Sequence, residues 1–509
     1  MKKEIRLGVI IGYISMAVST FVAIFFTPIL LNNLGTSEYG IYALISSVIA
    51  YFSVLDLGLG STAVRYISKN YKKPEDIKTI NGILLKIYIG IGIIALLLGI
   101  ILYFISGFIF TELTSIELHK FKISLLIMTV SVAISFPFSV YSSYITANEK
   151  FVFQKTTVLL QNLLKPFLMI IVLIFGYKSI ALVAVLAFVN LFTYLLNYYY
   201  ARKKLNFEYE FKKISENKPL VKEMFNYSFF ILLATIVDTV FKNTDQVILG
   251  AVSGTFAVSI YNLSMQIRSA NSNFSAIISQ LFFPKLTKMV ENKEPISKIS
   301  EIFNSVSRIQ MMILTLIASG FIMFGISFID VWVGEEFREV YFVVLICMLP
   351  NLIPLSQNIG IYVLQAMNKH QFRAVIFFII AILNIVISIP LAMKYNSIGA
   401  AIGTAIAVIL GQIIAMNIYY SKVIKLNIKR YWINFTKIVI PVLSIAILLK
   451  ILVDKLPMSL LYLIMYISIY SILYSIYMYV IIMNTYEKGL IKEVFIKICR
   501  KSKLIKGEK

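Results

Sequence analysis

Residues 33–44 read NLGTSEYGIYAL, and residues 252–263 read VSGTFAVSIYNL. Matching residues recur at one offset of 219 positions: Gly35 with Gly254, Thr36 with Thr255, Ile41 with Ile260, Tyr42 with Tyr261 and Leu44 with Leu263. The same offset relates Ala147, Lys150 and Phe153 to Ala366, Lys369 and Phe372, whereas Asn197, Tyr199 and Tyr200 match Asn417, Tyr419 and Tyr420 one residue further on. One half of the chain is therefore a diverged copy of the other.

The composition indicates that lipid surrounds most of the chain. Of its 509 residues, 59% are hydrophobic and only 14% are charged, and the mean hydropathy is +0.84. These values are typical of an integral membrane protein, and each apolar run of roughly twenty residues is long enough to cross a bilayer as a helix. We expect an all-α polytopic protein with about fourteen such helices, near residues 7–31, 40–64, 80–108, 122–145, 153–176, 179–200, 224–250, 255–283, 309–329, 340–366, 373–393, 397–420, 432–453 and 459–483.

The repeat divides these helices into six, six and two. The predicted parts are an N-terminal lobe (1–205), a linker (206–222), a C-terminal lobe (223–425), helices 13 and 14 (426–485) and a basic tail (486–509). Because each lobe holds an even number of spans, both copies enter the membrane in the same sense, as a parallel repeat. Rocking of one lobe against the other fits that geometry.

The distribution of Lys and Arg predicts the orientation. If the N-terminus is cytoplasmic, 36 of the 48 basic residues fall in cytoplasmic segments, seven outside and five in or at the ends of spans. This bias is the positive-inside pattern, and it predicts that both termini are cytoplasmic.

The net charge of +23 is explained by this topology and by attraction to anionic lipids. Basic loops without zinc-ligand spacing or a recognition helix argue against nucleic-acid binding. We expect no catalytic residues, no metal site and no cofactor, and the chain has no Walker sequence for ATP hydrolysis.

Several stretches resemble a known family. They are residues 33–42 (NLGTSEYGIY), 55–60 (LDLGLG), 65–67 (RYI), 147–150 (ANEK), 245–250 (DQVILG) and 399–404 (GAAIGT). Together they resemble the bacterial polysaccharide flippases of the Wzx type, in the superfamily that also contains MATE exporters and lipid II flippases. The resemblance implies two six-helix lobes around a central cavity that opens alternately to each side of the cytoplasmic membrane. Its implied cargo is an oligosaccharide repeat unit on a polyprenyl pyrophosphate.

Charged residues inside spans are costly and so are candidates for function. Asp238, Lys242 and Asp245 have the spacing i, i+4 and i+7, which predicts one helical face. The equivalent positions of the first copy, 219 residues earlier, hold uncharged residues. This stripe of three charged residues therefore belongs to one lobe only. We interpret Asp238 and Asp245 as ion-coupling or gating residues, for a proton or a sodium ion. The alternative is that the two aspartates and the lysine only neutralise one another at a helix interface.

Arg268 and Lys165, with Lys242, are the candidate contacts for an anionic headgroup. A guanidinium matches a pyrophosphate through its planar fork of donors. The alternative for Arg268 is a structural pairing with Asp238 or Asp245. Asp56 lies in a Gly-rich turn, and we interpret it as structural or as a gate partner of Arg65 or Lys86.

Two other functions remain open from the sequence. A MATE-type cation-coupled exporter of small molecules would favour an acidic cavity, whereas the candidate residues here are basic. A membrane polysaccharide polymerase would usually need a sizeable outside loop, and the outside segments here are short.

Overall fold

The computed structural model describes residues 2–211, 217–369, 371–454, 459–489 and 492, and every regular element in these ranges is helical. The predicted all-α class is confirmed. The helices are α1 Lys2–Leu34, α2 Thr36–Ala50, α3 Leu59–Lys69, α4 Pro74–Ile109, α5 Ser115–Ala147, α6 Phe151–Ile174, α7 Ser179–Lys204, α8 Lys218–Val252, α9 Gly254–Glu291, α10 Ile296–Trp332, α11 Glu339–Ser356, α12 Ile359–Ala366, α13 Gln371–Ala407, α14 Met416–Lys422, α15 Ile428–Val453 and α16 Leu460–Tyr477.

Twelve of the described helical stretches are long and apolar enough to cross a membrane. The prediction of about fourteen differs from this number in two places. Helix α9 has the length of a span, but its Ser, Asn and Gln side chains lower its hydropathy. The stretch Gln371–Lys422 counts once, although it covers two predicted spans. The count of fourteen therefore stays a prediction.

The stretch Gln371–Lys422 is a hairpin. Tyr395 and Asn396 leave the helical conformation, with φ of −128° and 47°, so the chain reverses there. A Cβ atom on Gly399 would overlap the carbonyl group of Leu391 in the other arm. A Cβ atom on Gly403 would likewise overlap Ser388 of that arm, so both glycines are required for the two arms to approach each other.

The duplication is visible in the backbone. Three turns with positive φ occur in both halves at the offset of 219 residues. The pairs are Gly35 and Gly254 (77° and 81°), Glu149 and Asn368 (58° and 54°), and Asn206 and Lys425 (50° and 64°). Both copies thus end and restart their helices at equivalent positions.

A stacked ring pair also occurs in both halves. The rings of Phe153 and Tyr200 are 3.8 Å apart, and those of Phe372 and Tyr419 are 4.0 Å apart, both nearly parallel. Tyr200 thus corresponds to Tyr419 at the offset of 219. The additional one-residue shift inferred from the sequence at this position was wrong, because the repeated Tyr residues allow either alignment.

The chain forms two compact units. Unit 1 contains Met1–Gln266 and Phe377–Thr404, and unit 2 contains Ile267–Ile376 and Ala405–Lys509. These units group helices by contact, and the lobe boundaries given above stay a prediction. Residues 212–216 of the predicted linker and most of the predicted basic tail lie outside the described residues.

Helix α10 organises unit 2, where it packs against α11, α15 and α16. Arg308 of α10 joins these helices to the chain that follows α16. Its Nε donates to Glu487 Oε1 at 2.7 Å and its Nη1 donates to Asn434 Oδ1 at 3.0 Å. The two charged side chains are 15% and 4% exposed, so this is a buried ion pair with additional hydrogen bonds.

Replacing Arg308 with Met should destabilise the protein by about 3–5 kcal/mol, because it leaves the Glu487 carboxylate buried without its partner. Arg338→Met is the matched control: its ion pair with Asp330 is half exposed, so we expect a loss of about 1 kcal/mol or less. Thermal unfolding of the purified variants in detergent measures both. Equal losses would contradict the assigned importance of the buried pair.

Candidate functional site

A break interrupts the second membrane span of unit 1. Helix α2 ends at Ala50, residues Tyr51–Asp56 form a 3-10 turn, and Leu57 and Gly58 have φ of 53° and 73° before α3 begins. The corresponding residues of the second copy, 270–277, lie inside the continuous helix α9. Broken membrane helices commonly mark binding or gating sites in transporters, so this asymmetry identifies the break as a candidate site.

Asp56 lies at this break. Its carboxylate accepts hydrogen bonds from Tyr88 Oη at 2.7 Å and from the backbone N–H of Gly60 at 3.2 Å. The second bond satisfies a donor in the first turn of α3. The guanidinium of Arg65 instead lies 4.0 Å from the ring centroid of Tyr227. These contacts are structural, and a gating role for Asp56 stays a prediction.

Polar side chains join α2 to α8 and α9. Ser47 Oγ donates to Gln246 Oε1 at 2.6 Å, and Tyr39 Oη donates to Asn262 Oδ1 at 2.7 Å. Gln266 Nε2 donates to Tyr39 Oη at 2.9 Å. The broken span is therefore held to helices of the second copy by exchangeable hydrogen bonds rather than by apolar packing alone.

The contact continues on the far side of the break. Thr62 and Ser228 hydroxyls lie 2.8 Å apart, linking α3 to α8. A Cβ atom on Gly58 would lie 2.7 Å from Ile231 Cβ and 2.9 Å from the Ser228 carbonyl oxygen. Only glycine combines this close approach with the left-handed backbone.

Glu117 makes a third link, at the start of α5. Its Oε1 accepts hydrogen bonds from Ser37 Oγ and Thr255 Oγ1, both at 2.6 Å, and its Oε2 accepts from the backbone N–H of Thr114. One carboxylate thus connects α2, α5 and α9, a role that was not predicted from the sequence.

Asp245 of α8 is enclosed by hydroxyl and amide groups. It is 3% exposed and accepts hydrogen bonds from Tyr261, from Thr404 Oγ1 at 2.5 Å and from Asn384 Nδ2 at 3.5 Å. Ser388 Oγ donates to Asn384 Oδ1 at 2.8 Å. We name these five residues the Asp245 cluster. A carboxylate among side-chain oxygens from two neighbouring helices, α9 and α13, can hold a proton or a hard cation, which prefers oxygen ligands.

Asp238 and Lys242 lie on the same stripe of α8 but in a different environment. Their side chains are 73% and 68% exposed, and Asp238 Oδ2 lies 3.9 Å from Lys242 Nζ. At the level of Asp245 the same face is covered by α9 and α13. The stripe is therefore one exposed ion pair and one buried carboxylate.

The structure assigns the remaining candidate cations to different units. Lys165 is a half-buried residue of α6 in unit 1, and within the described residues it has no ion-pair partner. One turn away, Asn162 Nδ2 donates to Ser15 Oγ at 3.1 Å, so α1 packs beside this part of α6. Arg268 is a half-buried residue of α9 in unit 2.

The sequence interpretation found Asp245 but missed the rest of its cluster. Tyr261 was used only as a marker of the internal repeat, and Thr404 only as part of the stretch 399–404 that carries the family resemblance. Asn384 and Ser388, an amide and a hydroxyl four residues apart in an apolar span, were the available signal. Because they lie far from Asp245 along the chain, their contact with it was not predicted.

Comparison with known proteins identifies the family. The model of a family described as polysaccharide biosynthesis protein matches residues 7–290, more than half of the chain. The chain belongs to the polysaccharide biosynthesis protein family. The resemblance inferred from the sequence motifs is confirmed, and the chain is a multi-pass membrane protein of a transporter family.

Two known proteins resemble the chain along most of their length. A putative O-antigen transporter of Shigella flexneri is 20% identical over 415 residues, which cover 79% of this chain and 94% of that protein. The uncharacterized membrane protein EpsK of Bacillus subtilis is 23% identical over 431 residues, covering 80% and 81%. A probable low-salt glycan biosynthesis flippase of Haloferax volcanii, Agl15, is 22% identical over 189 residues, covering 36% and 39%.

Two solved structures share the fold of this family member. The lipid II flippase MurJ in an inward closed conformation has a TM-score of 0.73 at 16% identity, covering 95% of this chain and 99% of that one. An inward-facing multidrug resistance MATE transporter has a TM-score of 0.60 at 11% identity, covering 79% and 96%. The predicted MATE and lipid II flippase-like fold is confirmed.

Replacing Gly58 with Ala should separate α3 from α8, because the added methyl group meets Ile231 and the backbone is in a left-handed conformation. We expect a loss of about 1–3 kcal/mol in stability and reduced transport. Gly60→Ala is the matched control, because the nearest atom to its Cβ is 3.5 Å away and its backbone is helical. Thermal unfolding and a transport assay would be run on both variants. Equal behaviour would show that the close approach at Gly58 is dispensable.

Proposed function

We propose that this chain is a flippase that moves polyprenyl-pyrophosphate-linked oligosaccharide repeat units from the cytoplasmic to the outer leaflet of a bacterial membrane. The observation that carries the proposal is the match along 94% of a putative O-antigen transporter. The partial match to a glycan biosynthesis flippase supports the same class of cargo. Transport would proceed by alternating access, with both chain termini in the cytoplasm.

The broken second span supports a moving part in unit 1. Its break at Tyr51–Gly58 lets α2 and α3 tilt separately, and its links to α8 and α9 are hydrogen bonds that can be exchanged. Exchanging one hydrogen bond for another costs little, whereas leaving a buried polar group unpaired costs about 1–3 kcal/mol. The contact between the broken span and helices α8 and α9 is therefore suited to switching between discrete arrangements.

An anionic cargo gains electrical energy on this route. Moving one negative charge outward across an inside-negative membrane gains about 2.3 kcal/mol per 100 mV. Lys165 and Arg268 are the proposed contacts for the pyrophosphate. Lys242 is a weaker candidate, because it already lies close to Asp238.

The Asp245 cluster is the proposed coupling site. Inward movement of a sodium ion or proton through this cluster would be exchanged for outward movement of the cargo. Asp245 is favoured over Asp238, because Asp238 is exposed and paired with a lysine. The cluster joins α8, α9 and both arms of the α13 hairpin, so occupancy by a cation would change the hydrogen bonds among them.

The transport proposal is tested in a strain that lacks this chain. We expect lipid-linked oligosaccharide to accumulate on the inner leaflet and the full-length chain to restore export. Lys165→Gln should reduce export roughly tenfold, because one charge-assisted contact to the pyrophosphate is lost. Lys155→Gln, on an exposed position of the same helix, should retain it. Normal export in the deletion strain, with purified protein exporting small cations instead, would replace this proposal with the MATE-type alternative.

Coupling is tested in proteoliposomes with an imposed sodium or proton gradient. Asp245→Asn should abolish the acceleration that the gradient gives, because the amide cannot release a proton and lacks the charge to bind a cation. Asp238→Asn is the matched control on the same helix and should keep the acceleration. Full gradient dependence in the Asp245 variant would exclude this carboxylate as the coupling site.

A further inference from the structure

The first copy has a groove between the start of α4 and the turn that follows α7, and the second copy has the equivalent groove between the start of α10 and the turn that follows α14. The two grooves differ. In unit 1 the chain segment after α7 fills the groove: Glu208 pairs with Lys78 at 2.9 Å, and the Glu210 N–H donates to the Lys78 carbonyl at 3.0 Å. Here Lys78 belongs to α4, the counterpart of α10. Gly82 allows the backbone of Glu210 to lie directly against α4.

The second copy carries different residues at the equivalent positions. The offset of 219 relates Lys78 to Ser297, Gly82 to Glu301 and Glu208 to Asn427. After the equivalent turn at Lys425 the chain begins helix α15 instead of continuing along the groove. The groove therefore stays open, as a cleft of about 290 Å³ between α10 and the first turn of α15.

The open cleft is built on a fixed frame. The Asn427 N–H donates to Ser300 Oγ at 2.7 Å, and Asn304 Nδ2 donates to the Asn427 carbonyl at 3.3 Å. Asn304 is 3% exposed, and its side-chain oxygen has no hydrogen-bond donor among the described residues. The base of the cleft thus offers a hydrogen-bond acceptor, which suits the hydroxyl donor of a headgroup such as that of phosphatidylglycerol better than an acyl chain.

The rim of the cleft is cationic. Lys425 and Arg430 line it, together with Ser297 in the first turn of α10. The N-cap residue of α10, Pro295, supplies no side-chain cap. Uncapped N–H groups at a helix start favour an anion. Glu301 is the opposing charge in the lining.

A second cleft of about 660 Å³ adjoins the first through Glu301. Its lining combines the cations Lys285, Lys288 and Lys298 with apolar residues of α9, among them Leu281 and Pro284. In the described part of the chain Lys298 pairs with Glu294 at 3.2 Å, and the other cations of both clefts have no ion pair. The two clefts therefore place cations next to an apolar wall, close to the first residues of α10 and α15.

We propose that the cleft between α10 and α15 binds the phosphate headgroup of an anionic phospholipid. The phosphate takes the place that the Glu208 carboxylate has in the first copy, between Lys425, Arg430 and the start of α10. The lipid chains lie along the apolar side of the adjoining cleft. A basic pocket between membrane helices is a recognised kind of anionic-lipid site. The volume of the cleft between α10 and α15, about 290 Å³, is below the range of pockets that bury a large ligand, so an oligosaccharide does not fit in it.

Trp432 gives a local reporter, because it lies two residues after Arg430 and the chain has only one other tryptophan, Trp332. The full-length Trp332→Phe protein is purified in detergent. It is titrated with phosphatidylglycerol carrying brominated chains, which quench nearby tryptophan, and separately with brominated phosphatidylcholine. We expect quenching by the anionic lipid at concentrations at which the neutral lipid has little effect.

Three variants in this background test the cleft. Lys425→Gln with Arg430→Gln should weaken binding about 30-fold, the effect of two cations at about 1 kcal/mol each. Lys422→Gln with Lys429→Gln removes the same charge from exposed residues outside the cleft and should change binding less than threefold. Glu301→Gln should tighten binding about fivefold, a gain that misfolding cannot produce.

The proposal is wrong if the cleft variant binds like the control, or if both lipids quench equally. It is also wrong if polyprenyl pyrophosphate displaces phosphatidylglycerol at lower concentration than phosphatidylglycerol itself binds, since the cleft would then serve the cargo. These measurements detect binding without transport, so they are independent of the flippase proposal.

Discussion

Inside a bilayer a buried polar group finds no water, so each one must be satisfied by the protein. This constraint decides how unit 1 is held together. Gln246, for example, accepts a hydrogen bond from Ser47 of α2 and lies one residue from Asp245, which is bonded to α9 and α13. Neighbouring residues of α8 thus bind different helices. A movement of α8 changes both sets of contacts together, which would connect a coupling site to the broken span.

The two copies share a common set of helix ends but differ at the candidate site. The repeated turns and stacked rings show that both copies retain the same helix ends. The two features on which the proposed transport mechanism rests occur in one copy only. The break at Tyr51–Gly58 has no counterpart in α9, and the carboxylate of Asp245 replaces Phe26 of α1. In the proposed mechanism these asymmetric residues would bind the driving ion and respond to it.

The membrane-spanning class, the repeat and the family were predictable, because hydropathy and self-similarity are properties of the sequence alone. The number of spans was harder to read at α9, whose polar residues are tolerated where neighbouring helices supply partners. Ser275 of this helix donates to the Leu355 carbonyl, and Gln310 donates to Ser275 and Ser279. Ser275 and Ser279 thus show how polar residues of an apolar helix find partners on a neighbouring helix.

The candidate site was only partly predictable. Asp245 could be found as a charge in an apolar run, because its cost in lipid is a local property. Its partners Asn384 and Thr404 lie 139 and 159 residues away in the chain, and they meet it only through the packing of α8 against the α13 hairpin. The sequence by itself therefore determined the solvent, the duplication and which charges need an explanation. The tertiary structure decided that Asp245 is enclosed while Asp238 is exposed, since burial depends on which helices cover a face and not on the spacing along it.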